Sequence, residues 1–198
     1  MRRALNHLRK SDPILRAIID RVGPFRMQYR EPTFEALARA IVFQQLNGKA
    51  ARTIYDRLAT AAGGTVTPES ILKLTPVQMR AAGLSKQKLS YIRDLAQRTH
   101  VKEVDFAALP ALSDAEVIAT LTKVKGIGEW TAHMFLIFAL QRPNVLPTGD
   151  YGVRAAIKRA YRKRKLPTPA AMEKLAKSWH PYCSVAAWYL WRSMDVEN

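Results

Sequence analysis

Apolar residues recur at helical spacing along most of this chain, and no stretch alternates apolar with polar residues for long enough to form a sheet. After Pro32, for example, Thr33 is a suitable N-cap, and the apolar positions that follow are 34, 37, 38, 41 and 42. Residues 113–116 have the sequence of a capping box, which opens another helix. The sequence therefore predicts an all-α fold.

The composition indicates a polyanionic partner and argues against a metal or redox centre. Among the 198 residues, 32 Lys and Arg stand against 16 Asp and Glu, a formal charge of +16. Nucleic acid is the commonest partner of so basic a chain, although charge alone does not separate it from a merely basic protein. A single cysteine, Cys183, excludes an internal disulfide, a four-thiolate zinc site and an iron–sulfur cluster. Four dispersed histidines have no metal-ligand spacing, so we expect no cofactor.

The ends and the apolar runs bear on where the protein works. No apolar run reaches the ~18 residues of a membrane span. The first residues, MRRALNHLRK, lack the apolar stretch of a secretory signal. We expect a monomeric, cytoplasmic protein without a membrane partner, associated with the nucleoid if its source is bacterial.

The sharpest local motif is a turn with two glycines, Gly126 and Gly128, between two predicted helices. Glycines permit positive φ and let another backbone come close. The second helix begins at about Glu129, so it presents unpaired N–H groups and the positive end of its dipole above the turn. A DNA phosphate suits that position, and Lys123 and Lys125 add positive charge beside it.

Such a hairpin would hold the DNA backbone without reading its sequence. The same pattern also forms ordinary corners between helices, and a lone G-x-G is weak evidence. Val124 and Ile127 favour the specific interpretation, because two apolar residues in so short a turn would pin the two helices together.

Four blocks of sequence, in this order, resemble the HhH-GPD DNA glycosylases, and most of all their 3-methyladenine-DNA glycosylase II (AlkA) type. The blocks are Phe34-Glu35-Ala36-Leu37 through Gln44-Gln45-Leu46, Gly83-Leu84-Ser85 with Lys88, Lys125-Gly126-Ile127-Gly128-Glu129-Trp130-Thr131-Ala132, and Leu146-Pro147-Thr148-Gly149-Asp150-Tyr151. The resemblance runs from about Gly23 to Trp191. It implies a two-lobed helical fold with a helix-hairpin-helix motif and a cleft between the lobes.

The chain departs from that family at two points. Lys125 stands where a proline is common, a change that should keep the turn and add a phosphate contact. The ~30 residues before Phe34 are too few for the N-terminal β-rich domain of the longer members, so we expect a compact form. We predict a central lobe over 34–142, carrying the helix-hairpin-helix at about 118–140, and a second lobe made of 1–33 and 143–198.

Asp150 is the predicted catalytic carboxylate. Its place before a helix is typical of an N-cap. The catalytic role is implied by the resemblance, and the same residue can serve both roles. A fixed anion in a dry cleft would stabilise the oxocarbenium-like charge that forms on the deoxyribose, and could orient or deprotonate the attacking water. An alkylated purine already carries positive charge and leaves without the second carboxyl acid that sugar hydrolases use.

Trp130 bears on the type of mechanism. By resemblance it stands where family members that also cleave the DNA strand carry a lysine, which attacks the sugar through a Schiff base. The sequence therefore predicts no associated lyase activity.

The resemblance also implies a pocket for the extruded base. Trp130 and Tyr151 are its predicted walls, with Tyr182 and His133 as weaker candidates, because electron-rich rings attract a cationic base. Burial in the core is the alternative for each of them. The three other tryptophans, Trp179, Trp188 and Trp191, are assigned to the core.

Leu46 is the predicted wedge, which by resemblance enters the duplex where the base was. A leucine at a helix end is otherwise more often a core residue. Gln45 is a candidate contact to the neighbouring or orphaned base, and Thr131 completes the predicted DNA-binding set. By family analogy, the carbonyls of Thr122, Val124 and Ile127 could hold a monovalent cation, although no metal site is predicted from the composition. The basic run Lys158–Lys165 is a solvated helix end, or it contacts DNA or an acidic partner.

Taken with the resemblance, these features predict a monofunctional DNA glycosylase that flips out and hydrolytically excises alkylated bases from damaged double-stranded DNA in base excision repair. The expected lesions are of the 3-methyladenine and 7-methylguanine type. Two alternatives stay open. The same scaffold could act on uracil, a mismatch or an etheno base, or the chain could be a non-catalytic helix-hairpin-helix DNA-binding protein.

Overall fold

The computed structural model describes residues 1–195, and all regular structure within them is helical, as the sequence predicts. Besides a short 3₁₀ turn at Leu109–Ala111, the described part contains twelve α-helices. They are α1 (Arg2–Ser11), α2 (Pro13–Val22), α3 (Phe34–Phe43), α4 (Gly48–Ala61), α5 (Pro68–Lys73), α6 (Pro76–Ala81), α7 (Lys86–His100), α8 (Asp114–Leu121), α9 (Glu129–Phe138), α10 (Tyr151–Ala160), α11 (Pro169–Ala176) and α12 (Cys183–Ser193). None of the helices in this described part is both long and apolar enough to span a bilayer.

Side-chain caps determine where many of the helices begin. The hydroxyl of Thr33 accepts the N–H of Ala36 at 3.2 Å and opens α3, as predicted. The predicted capping box before α8 is also present: Ser113 Oγ accepts the Glu116 N–H, and Glu116 Oε2 accepts the Ser113 N–H at 2.8 Å. These bonds satisfy N–H groups that have no partner within the helix.

The chain divides into two compact units. Unit 1 contains residues 1–29 and the chain from 136 onward, and unit 2 contains residues 30–135. The predicted lobe boundaries, at 33/34 and 142/143, lie a few residues later in the chain than the boundaries between the two units, at 29/30 and 135/136. The assignment of catalysis to the second of those lobes stays a prediction.

The core of unit 1 is built around a buried aspartate. Asp12 caps α2 through Oδ1, and its Oδ2 accepts the Trp179 indole N–H at 2.9 Å and the Tyr161 hydroxyl at 2.5 Å. Burial, and then the hydrogen bond to Asp12, raise the pKa of Tyr161 above its ordinary value. The Asp12 carboxylate, the Tyr161 hydroxyl and the Trp179 indole N–H are therefore all paired, which is the condition for burying them at low cost.

Unit 2 is organised around α7. The buried face of this helix, with Ile92, Leu95 and Ala96, packs against α3 and α5, and α6 adds further contacts. Because α7 is central, the loop that follows α3 and the turn that follows α8 can both be supported by its remaining side chains.

Candidate active site

The glycine turn joins α8 to α9 as the sequence predicts. Its two apolar residues, Val124 and Ile127, are 1% and 4% exposed. The Ile127 N–H donates to the Val124 carbonyl at 3.1 Å, which closes the turn. The buried pair therefore pins the turn to the body of unit 2, as expected from its apolar character. Occupation of the turn carbonyls by a monovalent cation stays a prediction.

Gly126 is required by its backbone and by its neighbour. Its φ of +79° lies in the left-handed region, and a Cβ at this position would fall within the ring of Tyr91 on α7. Its carbonyl accepts the side-chain N–H of Gln44 at 3.0 Å. The turn is therefore in close contact with α7 and with the loop after α3.

The outer side of the turn suits a phosphate. Lys123, Lys125 and Gly128 are exposed, and nothing lies within 4 Å of the Cβ position of Gly128. The backbone N–H of Lys125 is held by Asp94 Oδ2 at 2.9 Å. Thr131, also in the predicted DNA-binding set, is only 7% exposed. Its burial favours a packing role for that side chain.

The predicted wedge lies at the tip of a short loop between α3 and α4. Leu46 is 40% exposed, unlike the core leucines of the same unit. Gln45, just before it, is exposed and adopts a φ of +55°, a conformation that L-residues rarely take. Asn47 ends the loop by capping α4 through the Ala50 N–H at 2.8 Å. An exposed apolar side chain on so short a loop is consistent with a wedge.

Asp150 is buried, 7% exposed, and caps α10. Its Oδ1 accepts two hydrogen bonds, from the Val153 N–H at 2.8 Å and from the indole N–H of Trp191 at 2.8 Å. The N-cap role expected from the sequence is therefore present. The second donor, from α12, holds the carboxylate in a fixed orientation.

The sequence predicts that Trp191 belongs to the core, and the structure shows that this describes only part of its role. The ring packs against the core of unit 1 and stacks on Phe138, with centroids 5.7 Å apart, but the side chain is only partly buried. Gly152 makes its approach possible, since a Cβ there would lie 3.0 Å from Trp191 Cδ1. No sequence pattern identified Trp191 or Gly152, because their relation to Asp150 arises only when α12 packs on α10.

The proposed base-pocket residues differ in exposure. Trp130 is 46% exposed and Tyr151 is 69% exposed, which a role at a ligand-binding surface requires. Tyr182 is half-buried, and its ring packs edge-on against His7 with centroids 5.5 Å apart, which favours the core alternative for this residue.

His133 is buried, 8% exposed, on the second turn of α9. Its Nε2 lies 3.6 Å from the carboxylate of Glu129, while its Nδ1 has no hydrogen-bond partner within the part of the chain described. Burial lowers the pKa of His133, and the charge of Glu129 opposes that effect. A neutral, packed imidazole follows, which is the alternative to a pocket role that the sequence left open.

The basic run ends α10. The charged side chains of Lys158–Lys165 are exposed, and the Lys163 N–H donates to the Lys158 carbonyl at 2.8 Å, which closes the helix end. Tyr161 turns inward, toward Asp12. The charged side chains form an exposed basic cluster. A solvated helix end and a contact to DNA or to an acidic partner stay the alternatives.

Comparison with known proteins identifies the family. The family model described as "HhH-GPD superfamily base excision DNA repair protein" matches residues 38–181, well over half of the chain. The chain belongs to this superfamily. The resemblance carried by the four sequence blocks is thereby confirmed.

Individual HhH-GPD proteins are similar over nearly the whole length. DNA-3-methyladenine glycosylase 1 of Schizosaccharomyces pombe is 34% identical over 199 residues, covering 97% of this chain and 87% of that protein. The structure of the S. pombe 3-methyladenine DNA glycosylase in complex with abasic DNA matches with a TM-score of 0.83 and 35% identity, over 96% of this chain and 95% of that one. The DNA-3-methyladenine glycosidase of Bacillus halodurans matches with a TM-score of 0.85 and 35% identity, over 93% and 85% of the two chains. The all-helical glycosylase fold predicted from the sequence is thus confirmed.

Proposed function

We propose that this HhH-GPD protein is a monofunctional DNA glycosylase that extrudes alkylated bases from double-stranded DNA and hydrolyses their N-glycosidic bonds, with Asp150 as the catalytic carboxylate. The observation that carries the proposal is a buried carboxylate at the start of α10, oriented by two N–H donors on one oxygen. The similar S. pombe and B. halodurans proteins, named for action on 3-methyladenine, support the choice of lesion.

The chemistry assigned to Asp150 is electrostatic. As the bond from C1′ to the base nitrogen breaks, the bonding electrons go to the base, and positive charge develops on the sugar. A fixed negative charge near C1′ stabilises this state more than the ground state, which is the requirement for catalysis. Water then adds its oxygen to C1′, and its proton passes to the carboxylate or to solvent.

The leaving group explains why one carboxylate is enough. A 3-methyladenine or 7-methylguanine base carries positive charge in DNA and becomes neutral when it departs. Protonation by a second acid, as in sugar hydrolases, is therefore unnecessary. Trp130 and Tyr151, both exposed aromatics, would attract that cationic base by stacking and cation–π contacts.

The remaining elements would hold the DNA with the base extruded. The glycine turn with Lys123 and Lys125 would bind a backbone phosphate, Leu46 would fill the space left in the stack, and Gln45 would contact the neighbouring or orphaned base. With Trp130 in place of a Schiff-base lysine, the product is an abasic site in an unbroken strand. We further propose that the protein acts as a monomer, in the cytoplasm or on the nucleoid of a bacterial source.

The decisive experiment measures base release from duplexes that each carry one lesion: 3-methyladenine, 7-methylguanine, uracil, a mismatch or an etheno base. We expect release of the alkylated purines by the wild-type protein, and strand breaks only after treatment with alkali. If only uracil or etheno bases were released, the substrate would be a different lesion from the one we propose. Binding without any released base would leave a DNA-binding protein, and strand scission without alkali would contradict the role of Trp130.

A further inference from the structure

Lys88 lies near the start of α7 and donates to two carbonyls of the wedge-bearing loop. Its Nζ lies 2.5 Å from the carbonyl of Val42 and 2.7 Å from that of Gln44. These carbonyls belong to the end of α3 and the loop after it, where backbone acceptors have no partner within a helix. A charged donor shared between them therefore holds the path of the chain just before the wedge.

The conformation of the loop needs such a restraint. Gln45 takes a φ of +55°, which costs free energy in a residue that is not glycine. The neighbouring Gln44 is held at both ends, by Lys88 through its carbonyl and by the Gly126 carbonyl through its side chain at 3.0 Å. Leu46 follows directly and is presented outward. The position of the exposed leucine thus depends on the contacts that Gln44 makes with Lys88 and Gly126.

The same face of α7 also supports the glycine turn. Tyr91 lies against Gly126, and Asp94 accepts the Lys125 N–H at 2.9 Å. Residues 88, 91 and 94 recur every three positions, so their side chains leave the helix on neighbouring parts of one face. One helix therefore sets the positions of both segments that we propose to contact DNA.

We propose that Lys88 is a positioning residue that fixes the wedge loop relative to the phosphate-binding turn, so that Leu46 enters the duplex at a set distance from the held phosphate. This inference rests on the proposed function, and Lys88 itself touches neither the base nor the sugar. A wedge is needed only where the base must be drawn out of a stacked duplex. In single-stranded DNA the base is already accessible, and the cost of unstacking is smaller.

The test compares Lys88→Met with Lys86→Met, which removes the same charge from an exposed position on the same helix. Both variants and the wild type are given one alkylated strand, once annealed to its complement and once single-stranded. For Lys88→Met we expect kcat/KM to fall about tenfold on the duplex, since a hydrogen bond from a charged group is removed, and to stay within about twofold on the single strand. Lys86→Met should match the wild type on both. Lys88→Arg, which keeps a charged donor, should recover part of the duplex activity.

Two further variants guard against a folding defect. Gln44→Met breaks the link to Gly126 without touching Lys88, and it should show the same selective loss on the duplex. The double variant Leu46→Ala with Lys88→Met should lose less kcat/KM on the duplex than the product of the two single fold-losses, since both changes act through one wedge.

Each other result has a defined meaning. An equal fall on both substrates, no fall at all, or the same loss in Lys86→Met would overturn the positioning role. If the wild type released base from neither substrate, the proposed function itself would fail, and the role of Lys88 with it.

Discussion

The indole N–H of Trp191 donates to Oδ1 of Asp150 at 2.8 Å, so the proposed catalytic carboxylate is held by α12 as well as by the helix that it caps. A carboxylate with one donor from its own helix could still rotate about its side-chain bonds. A second donor from a packed aromatic ring removes that freedom. Orientation of this kind lets a charged group act in the transition state without reorganising first.

Trp191→Phe should lower kcat and leave binding unchanged. Phenylalanine keeps an aromatic ring against Phe138 but removes the hydrogen bond to Asp150. A hydrogen bond to a charged group contributes roughly 1.5–3 kcal/mol, so we expect a loss of about tenfold or more in single-turnover base release. Affinity for abasic duplex should not change. Trp188→Phe, a buried tryptophan of the same helix, is the matched control, and an equal loss of kcat in that variant would remove the special role of Trp191.

Substitutions at Asp150 should separate its charge from its cap. Asparagine caps a helix about as well as aspartate, so Asp150→Asn should keep the thermal stability of the wild type and still bind duplex DNA. Base release should fall by about 10²-fold or more, because the negative charge is gone. Asp150→Ala should lose activity equally and also about 1 kcal/mol of unfolding free energy, since the Val153 N–H then has no cap. Base release by Asp150→Asn at the wild-type rate would disprove the catalytic role.

The two lysines of the turn should act on binding alone. Lys123→Ala with Lys125→Ala should weaken affinity for duplexes of every sequence. The slope of log K against log salt should become shallower by about 0.9 for each phosphate that the variant no longer neutralises. Titrations at several salt concentrations measure both effects. Lys73→Ala with Lys102→Ala, which removes the same charge elsewhere in unit 2, should change the slope less. Equal slopes for the two double variants would remove the turn from the interface.

Gly126→Ala should destabilise the protein much more than Gly128→Ala. At position 126 the added methyl group meets the ring of Tyr91, and the alanine residue must adopt a φ of +79°. Strain of that kind costs of order 1–3 kcal/mol before the steric clash is added. At position 128 the methyl group would point into open space, so its cost should be small. Urea denaturation of the two variants measures the difference. Similar unfolding free energies would show that the turn does not rest on Tyr91.

Much of the fold could be predicted because its determinants are local. The caps at Thr33 and Ser113 lie within three residues of the groups that they satisfy. Val124 and Ile127 are buried because exposing two apolar side chains to water would cost free energy, and both belong to one short turn. Of the candidate site, the sequence placed Asp150 at an N-cap, and that placement holds in the structure. It placed Leu46 at the end of a helix, whereas α3 ends at Phe43 and Leu46 lies in the loop that follows.

The partners of those residues could not be predicted in the same way. In the sequence, Trp191 is one more apolar residue in a helix rich in them. Lys88 belongs to one of the four blocks, but nothing in that block shows which groups its side chain contacts. Their roles depend on which elements pack together, with Trp191 reaching Asp150 over 41 positions and Lys88 reaching Gln44 over 44.

The sequence by itself determined the helical class, the starts of α3 and α8, the apolar pin of the turn and, through four ordered blocks, the superfamily. These depend on interactions that span a few residues, or on motifs that are contiguous. Only the tertiary structure decided that an indole from α12 orients Asp150 and that α7 carries the wedge loop and the glycine turn on one face. The physical reason is that a hydrogen bond between distant residues forms only after packing brings its donor and acceptor together, and no local pattern records that event.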